Sequence, residues 1–220
     1  SRNWAVWLHE YIEEFPEKID ELKYVLTAIA PENRDSEFTW KEYQTRINNE
    51  LADIFGNFVN RSLVLTNKYY EGKVPALGQL EEIDESVLAQ MKEFPAKIDN
   101  LIKRYRLKEA QAEAMNFARL GNKYLADTEP WKLKKTNPER VETIMNIALQ
   151  ITANLTIAFE PFLPSSAQKL RDFLNISVLE MNQFGSSEIL QTGHTISTPE
   201  ILFSKIDDEF VEAQVAKLKN

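Results

Sequence analysis

The 220-residue sequence predicts an all-α protein built as an antiparallel helix bundle. Apolar residues recur at steps of three and four over most of the chain, whereas the period-two alternation of half-buried strands is rare. Prolines and Thr or Asn caps fall mostly at the ends of these periodic runs, where helices must start or stop.

Residues 3–15 carry Trp4, Trp7, Leu8, Tyr11 and Ile12 at helical spacing. The run stops at Phe15-Pro16, because proline disfavours helical geometry in the residue before it. A second helix covers about 17–30 and ends before Pro31, and the polar run 32–37 reads as a linker. The most regular segment follows. Trp40, Tyr43, Ile47, Leu51, Ile54, Phe58, Leu65 and Tyr69 define one long helix, with Thr39 as N-cap, Glu42 three positions on as in a capping box, and Gly72 near the end. Pro75 and Gly78 suit a connection over 73–82. Helical stretches at 84–106, with a break at Pro95, and at 108–127 come next. Asn137-Pro138, a cap followed by proline at the first helical position, opens a helix through Ile147, Ile151, Leu155 and Ala158. Pro161 and Pro164 turn the chain into a shorter helix, 165–174. Periodicity is lost over 176–199, and a last helix spans about 208–218. Five long helices with short connections make the bundle, with residues 1–35 as a separate helical preface and 36–220 as the second unit.

With 43% hydrophobic residues the chain can bury a substantial core. No apolar run approaches the roughly 18–20 residues of a membrane helix, and the start of the chain lacks a signal-peptide pattern. Cysteine is absent and only two histidines occur, which excludes disulfides and thiolate zinc sites and argues against any metal site. A soluble, cytoplasmic protein is expected. The formal net charge of −8 is the wrong sign for a protein that holds nucleic acid mainly by its phosphates.

No glycine-rich phosphate loop, paired-histidine motif or serine elbow is present, so no catalytic residue and no cofactor site is assigned. Adjacent acids such as Glu13-Glu14, Glu81-Glu82 and Asp207-Asp208 point apart on a helix and read as solvated. His9 and His194 read as structural. Two segments stand out. Asn57 and Arg61, four apart, share a helix face where an amide and a guanidinium can meet the edge of one base. In Tyr124-Leu125-Ala126-Asp127-Thr128-Glu129-Pro130-Trp131, the indole offers a surface for base stacking. From spacing alone the plainer readings lead: Arg61 in a surface ion pair, and Trp131 as a core anchor. Two features favour the other side. Asn48, Asn49, Asn57, Asn60 and Asn67 crowd one helix although asparagine is a mediocre helix former, and Lys132, Lys134 and Lys135 place positive charge beside the indole.

Over nearly its whole length the chain resembles the C-terminal half of the methionyl-tRNA synthetases. Ser1-Arg2 followed by Asn3-Trp4-Ala5-Val6-Trp7-Leu8-His9-Glu10-Tyr11 is similar to the end of that family's KMSKS-type loop and the helix beyond it. Phe15-Pro16 and Asp20-Glu21-Leu22-Lys23-Tyr24-Val25-Leu26 resemble its stem-contact segment. Asn48-Asn49-Glu50-Leu51 to Gly56-Asn57-Phe58-Val59-Asn60-Arg61 resembles its long anticodon-domain helix, and Asn122-Lys123-Tyr124 to Glu129-Pro130-Trp131 its second signature. The resemblance implies that Asn57 and Arg61 read exposed bases of a CAU anticodon, that Trp131 stacks on the first of them, and that Pro130 fixes the corner aiming the indole. It further implies tRNA and the protein's own catalytic domain as partners. ATP, the HIGH-type motif and the zinc knuckle belong to the region preceding residue 1, so this fragment alone should bind tRNA weakly and ligate nothing. The net acidity is then accommodated, because phosphate contacts are spread over parts absent here. The bundle of a related synthetase for cysteine, leucine or isoleucine, and a helical scaffold for protein partners, are the alternatives.

Overall fold

The computed structural model describes residues 6–31 and 36–217. Trp4 in the first stripe, the Ser1-Arg2 tail, most of the 32–37 linker and the last residue of the final helix lie outside them. Among the described residues the structure is helical, with one isolated antiparallel bridge between Lys73 and Thr195 in place of a sheet.

The preface holds helices α1 (Leu8–Glu14) and α2 (Ile19–Ala28), joined by a 3-10 turn at Pro16–Lys18. Phe15 sits at φ −131°, ψ 60°, so the helix breaks where the proline requires it. Both helices pack on the bundle. The Tyr11 and Tyr43 hydroxyls share a 2.7 Å hydrogen bond, and the buried Asp20 carboxylate accepts from Ser166 N and Oγ at 2.7 and 2.9 Å. Tyr24 donates to the Glu50 carboxylate. Trp7 and Leu8 point the other way and are each 59% exposed.

The predicted long helix runs in three parts: α3 (Trp40–Arg46), a π-wound segment Ile47–Gly56, and α4 (Asn57–Tyr70). Thr39 Oγ1 accepts from Glu42 N at 3.0 Å. The Glu42 carboxylate turns to Arg46 at 2.7 Å instead of back to Thr39, so only half of the expected capping box forms. The π winding has a sequence cause. Ile47, Leu51, Phe55, Val59 and Leu63 recur every four residues and none is more than 1% exposed. On an α-helix each such step advances by about 40° and would carry the stripe off the core; the wider π turn rotates it back. In consequence Phe55, Leu63 and Thr66 take the core positions that simple periodicity assigns to Ile54, Leu65 and Tyr69, which are only half-buried. The helix ends with Glu71 and Gly72 in left-handed geometry, φ 53° and 73°.

The remaining helices are α5 (Glu82–Met91), α6 (Phe94–Lys103), α7 (Leu107–Thr128), the short α8 (Pro130–Leu133), α9 (Pro138–Phe159), α10 (Pro164–Leu174) and α11 (Asp208–Lys217). The break expected at Pro95 falls just ahead of it, and the proline occupies the first turn of α6, where its missing N–H costs nothing. Asn137 caps α9 by accepting from Arg140 N at 3.2 Å. Instead of an amphipathic surface helix, α9 is the central rod, buried on nearly every side from Arg140 onward and packed by α4, α5, α7 and α10. One of its buried amides, Asn146, donates to Pro75 O at 2.8 Å, and two others are satisfied by the irregular stretch that follows α10. Gln150 donates to Leu190 O at 2.7 Å and accepts from Leu190 N at 3.1 Å, while Asn154 donates to Ser186 O at 2.8 Å and accepts from Gly185 N at 2.6 Å. A segment without secondary structure thus finds its backbone partners on side chains.

Candidate nucleic-acid interface

Arg61 and Trp131 come together in space. The Arg61 guanidinium carbon lies 4.6 Å from the centroid of the Trp131 ring, within the range of a cation–π contact. Neither plain alternative holds. Arg61 has no carboxylate within ion-pair distance among the described residues, and Trp131 is 38% exposed instead of sealed in the core. Partial burial draws the Arg61 pKa below its ordinary value, but a guanidinium stays charged across the physiological range. Asn57 is exposed one turn earlier on the same face, in α-helical geometry, and its amide has no hydrogen-bond partner among the described residues.

The corner that presents the indole is built from both sides. Helix α7 ends at Thr128, whose Oγ1 donates to Tyr124 O at 2.7 Å. The reversal itself is made by Glu129, held at φ 42°, ψ 56°, a conformation that side chains other than glycine and asparagine seldom adopt. Pro130 is buried and starts the next turn, so it locks a reversal that Glu129 makes. Behind the corner a single carboxylate ties its two ends. Asp84 is fully buried; it accepts from Tyr124 Oη at 2.6 Å on the α7 side, and from Arg140 Nη1 and Nη2 at 2.6 and 2.8 Å on the α9 side. Burial pushes the Asp84 carboxyl up, but hydrogen bonds from Arg140, Glu81 N and Tyr124 outweigh it and hold the group below the ordinary aspartate range. Arg140 also pairs with Glu81 at 3.1 Å. The bidentate geometry supplies the specificity a lone buried charge lacks.

Helix α4 is set against α7 by a missing side chain. At Gly121 an added Cβ would lie 2.5 Å from the Phe58 ring, so only glycine lets α7 cross so close to the turn of α4 that carries Asn57 and Arg61. A glycine inside an otherwise helical run is the sequence signal for such a crossing. Neither Gly121 nor the Asp84–Arg140 pair was singled out by reading the sequence; the pair lies far apart along the chain and looks like ordinary surface charge.

The lysines beside the indole differ in state. Lys132 pairs with Glu129 at 2.7 Å, Lys134 Nζ lies 5.1 and 4.2 Å from the Tyr69 and Tyr70 ring centroids, and Lys135 is exposed with no carboxylate partner among the described residues. The asparagines of the long helix also divide. Asn48 donates to Ile206 O and accepts from Ile206 N, both at 2.8 Å, and Asn67 donates to Ser197 O at 3.2 Å. Asn49, Asn57 and Asn60 are exposed, with no side-chain hydrogen bond among the described residues. His194 contacts Leu174 O at 2.6 Å and His9 is exposed beside Trp7. Among the described residues no cluster of three or more His, Cys, Asp or Glu could hold a metal, and no helix is long and apolar enough to cross a membrane.

Comparison with known proteins matches residues 74–219 to the anticodon binding domain of methionyl tRNA ligase and residues 1–63 to the class I tRNA synthetases (M). The chain is 57% identical over 218 residues to a methionine–tRNA ligase of Bacteroides fragilis, aligning 99% of its own length and 32% of the relative. It is also 57% identical over 220 residues to one of Cytophaga hutchinsonii, again 32% of the relative. The chain therefore spans about a third of the length of the curated relatives it matches. Among solved structures, the apo Mycobacterium tuberculosis methionyl-tRNA synthetase superposes with a TM-score of 0.75 at 25% identity, covering 86% of this chain and 39% of that one.

Proposed function

This chain belongs to the methionyl-tRNA ligase family, and on that premise we propose that it supplies anticodon recognition to an enzyme that attaches methionine to its tRNA using ATP. The bond-making chemistry belongs on this reading to a region outside these residues, together with the family's ATP and zinc sites. One observation carries the proposal: Arg61 is stacked on Trp131 while the indole stays 38% exposed. Anticodon bases are unpaired and can be splayed out, so they are read by stacking and by hydrogen bonds to their Watson–Crick edges. The open part of the indole gives the first base of a CAU anticodon a stacking surface. Arg61 is already oriented there by its cation–π contact and supplies donors, and the free Asn57 amide supplies both a donor and an acceptor. Pro130 and Glu129 fix the direction of the ring.

The acidic total charge is compatible with this role. Among the described residues Arg61, on the indole, and Lys134 and Lys135, which follow it closely in the chain, have no carboxylate in ion-pair contact, so local positive charge can favour a phosphate chain even though the sum does not. The partners on this reading are tRNA and the enzyme's own catalytic domain. The exposed α1 face of Trp7, Leu8 and Ile12 supports the second, since a contiguous apolar face in water marks a docking surface.

Trp131→Ala in the full-length protein should weaken tRNA recognition by about 1–3 kcal/mol while leaving tRNA-independent activation of methionine near normal. An equal loss in both would make Trp131 structural and end the proposal. Arg61→Ala should change the ranking of anticodon variants; a uniform loss across all of them would point to folding instead.

A further inference from the structure

Helix α4 and the segment that carries the indole meet twice, and at the second meeting the roles of ring and cation are exchanged. Tyr69 and Tyr70 close α4. Their rings stand 88° to each other with centroids 6.3 Å apart, which makes a two-sided aromatic corner. The Lys134 ammonium sits against both, 5.1 Å from the Tyr69 centroid and 4.2 Å from the Tyr70 centroid, inside the range of a cation–π contact. It also lies at the C-terminal end of α4, where unsatisfied carbonyls favour a cation. Glu71 and Glu142 line the hollow beside the two rings, yet among the described residues neither reaches ion-pair distance of Lys134. Tyr70 Oη is buried with no hydrogen-bond partner among the described residues. A hydroxyl so placed contributes no hydrogen bond to offset its burial, so what Tyr70 offers here is the face of its ring.

We infer that Lys134 is a positioning residue for the indole: gripped by Tyr69 and Tyr70, it holds residues 130–134 along α4 and so fixes the angle at which Trp131 faces a base. This deepens the anticodon reading and rests on it. Among the described residues no hydrogen bond or ion pair joins 130–134 to α4; the two cation–π contacts do. Pro130 and Leu133 seat the segment on the core, but apolar packing is non-directional and does not set its angle. The Asp84 carboxylate ties Tyr124 and Arg140, which flank the segment, and leaves its lie against α4 open. Arg61 and Tyr69 are eight positions apart, about 12 Å along the helix axis. One contact at Arg61 alone would act as a pivot. A second at this distance removes the rotation, and a stacking surface is useful only when its plane is held to within about 10–20°.

The test uses the full-length protein with two readouts: affinity for a hairpin RNA carrying the CAU loop, by fluorescence anisotropy, and backbone amide exchange over 132–134 without RNA. Replacing both rings, Tyr69→Leu with Tyr70→Leu, keeps apolar bulk and every charge. It should weaken the hairpin about fivefold and speed exchange over 132–134, with α9 amides such as Ile147 unchanged. Lys134→Met should do the same, whereas Lys134→Arg and Tyr70→Phe, which keep cation and ring, should bind as the parent does. In a double-mutant cycle the effect of the ring replacement should vanish once Trp131→Ala is present, because the rings act through the indole. A loss that persists in full in that background would mean that the rings or Lys134 touch RNA themselves, and would overturn the positioning role. Unaltered exchange in both the ring variant and Lys134→Met would overturn it too; a loss on Trp131→Ala would then still uphold the anticodon reading. If Trp131→Ala is silent, the anticodon reading fails and faster exchange over 132–134 alone sustains the pinning. Faster exchange through α9 as well would mark the ring variant as unstable, and Lys134→Met with its rescue by Lys134→Arg then decides.

Discussion

Two regions of the molecule are held by opposite means. The corner that presents Trp131 is braced from behind by a buried charge network, Asp84 with Arg140 and Tyr124, and by regular helices on either side. The returning segment, residues 197–206, has no regular structure and hangs from the half-buried Asn48 and Asn67 of the long helix through side-chain to backbone hydrogen bonds. The first arrangement is costly to assemble and stiff once made, because any missing partner leaves a desolvated charge. The second loses little when one bond breaks, since water can replace it.

If that contrast is real, Asp84→Ala should be the most damaging change. It leaves the Arg140 guanidinium with only the exposed Glu81 carboxylate and should lower unfolding free energy by about 3 kcal/mol, measured by chemical denaturation; a loss under ~1 kcal/mol would show that the corner is not braced as described. The same group gives a pH signature. Its folded pKa lies below the unfolded value, so its stabilisation is present above about pH 4 and fades as pH falls through the lower folded value. Asp84→Asn should therefore flatten the acid limb of the stability profile, and an unchanged acid limb would remove Asp84 as its cause. Gly121→Ala comes next. Its methyl must displace the Phe58 ring, at about 1–3 kcal/mol as for other overpacked sites, and a neutral result would mean that the α4–α7 crossing has slack.

Smallest in global terms is Asn48→Ala, at about 1 kcal/mol. Its distinctive effect is local: amide exchange at Ile206 should accelerate, with little change at Leu125 or Tyr124 in the corner. Uniform acceleration across both regions would erase the distinction drawn here. Arg61→Lys sharpens it at the surface, because an ammonium lacks the planar stacking of a guanidinium. Stability should change by less than about 0.5 kcal/mol, while the Trp131 fluorescence spectrum shifts as its stacked neighbour is lost. An unaltered spectrum would argue against that contact in solution.

How much could be read beforehand differs between the regions. The corner announced itself through Pro130-Trp131 and the end of α7, since proline and capping rules act within a few residues. Its brace did not, because Asp84, Tyr124 and Arg140 meet only after three helices pack. For the returning segment the asparagines were visible as an oddity in a helix. Which of them would clasp the returning chain and which would stay free was not, because nothing local ties Asn48 to Ile206. The π winding lay between these cases: its strict four-residue repeat is written in the sequence, yet it reads as an ordinary helix until the core shows which residues must face inward.

By itself the sequence determined the all-α class, the helix boundaries at Pro16, Asn137-Pro138 and Pro164, and the one-turn spacing of Asn57 and Arg61, since all of these follow from backbone sterics and helical period over short range. Only the tertiary structure decided that the Arg61 guanidinium would lie on the Trp131 indole, that α9 would be buried all round, and that Lys134 would sit against Tyr69 and Tyr70. Those outcomes depend on how closely helices distant in the chain can approach, and that distance is set by core packing at places such as Gly121 against Phe58, where the absence of a single carbon brings the interface together.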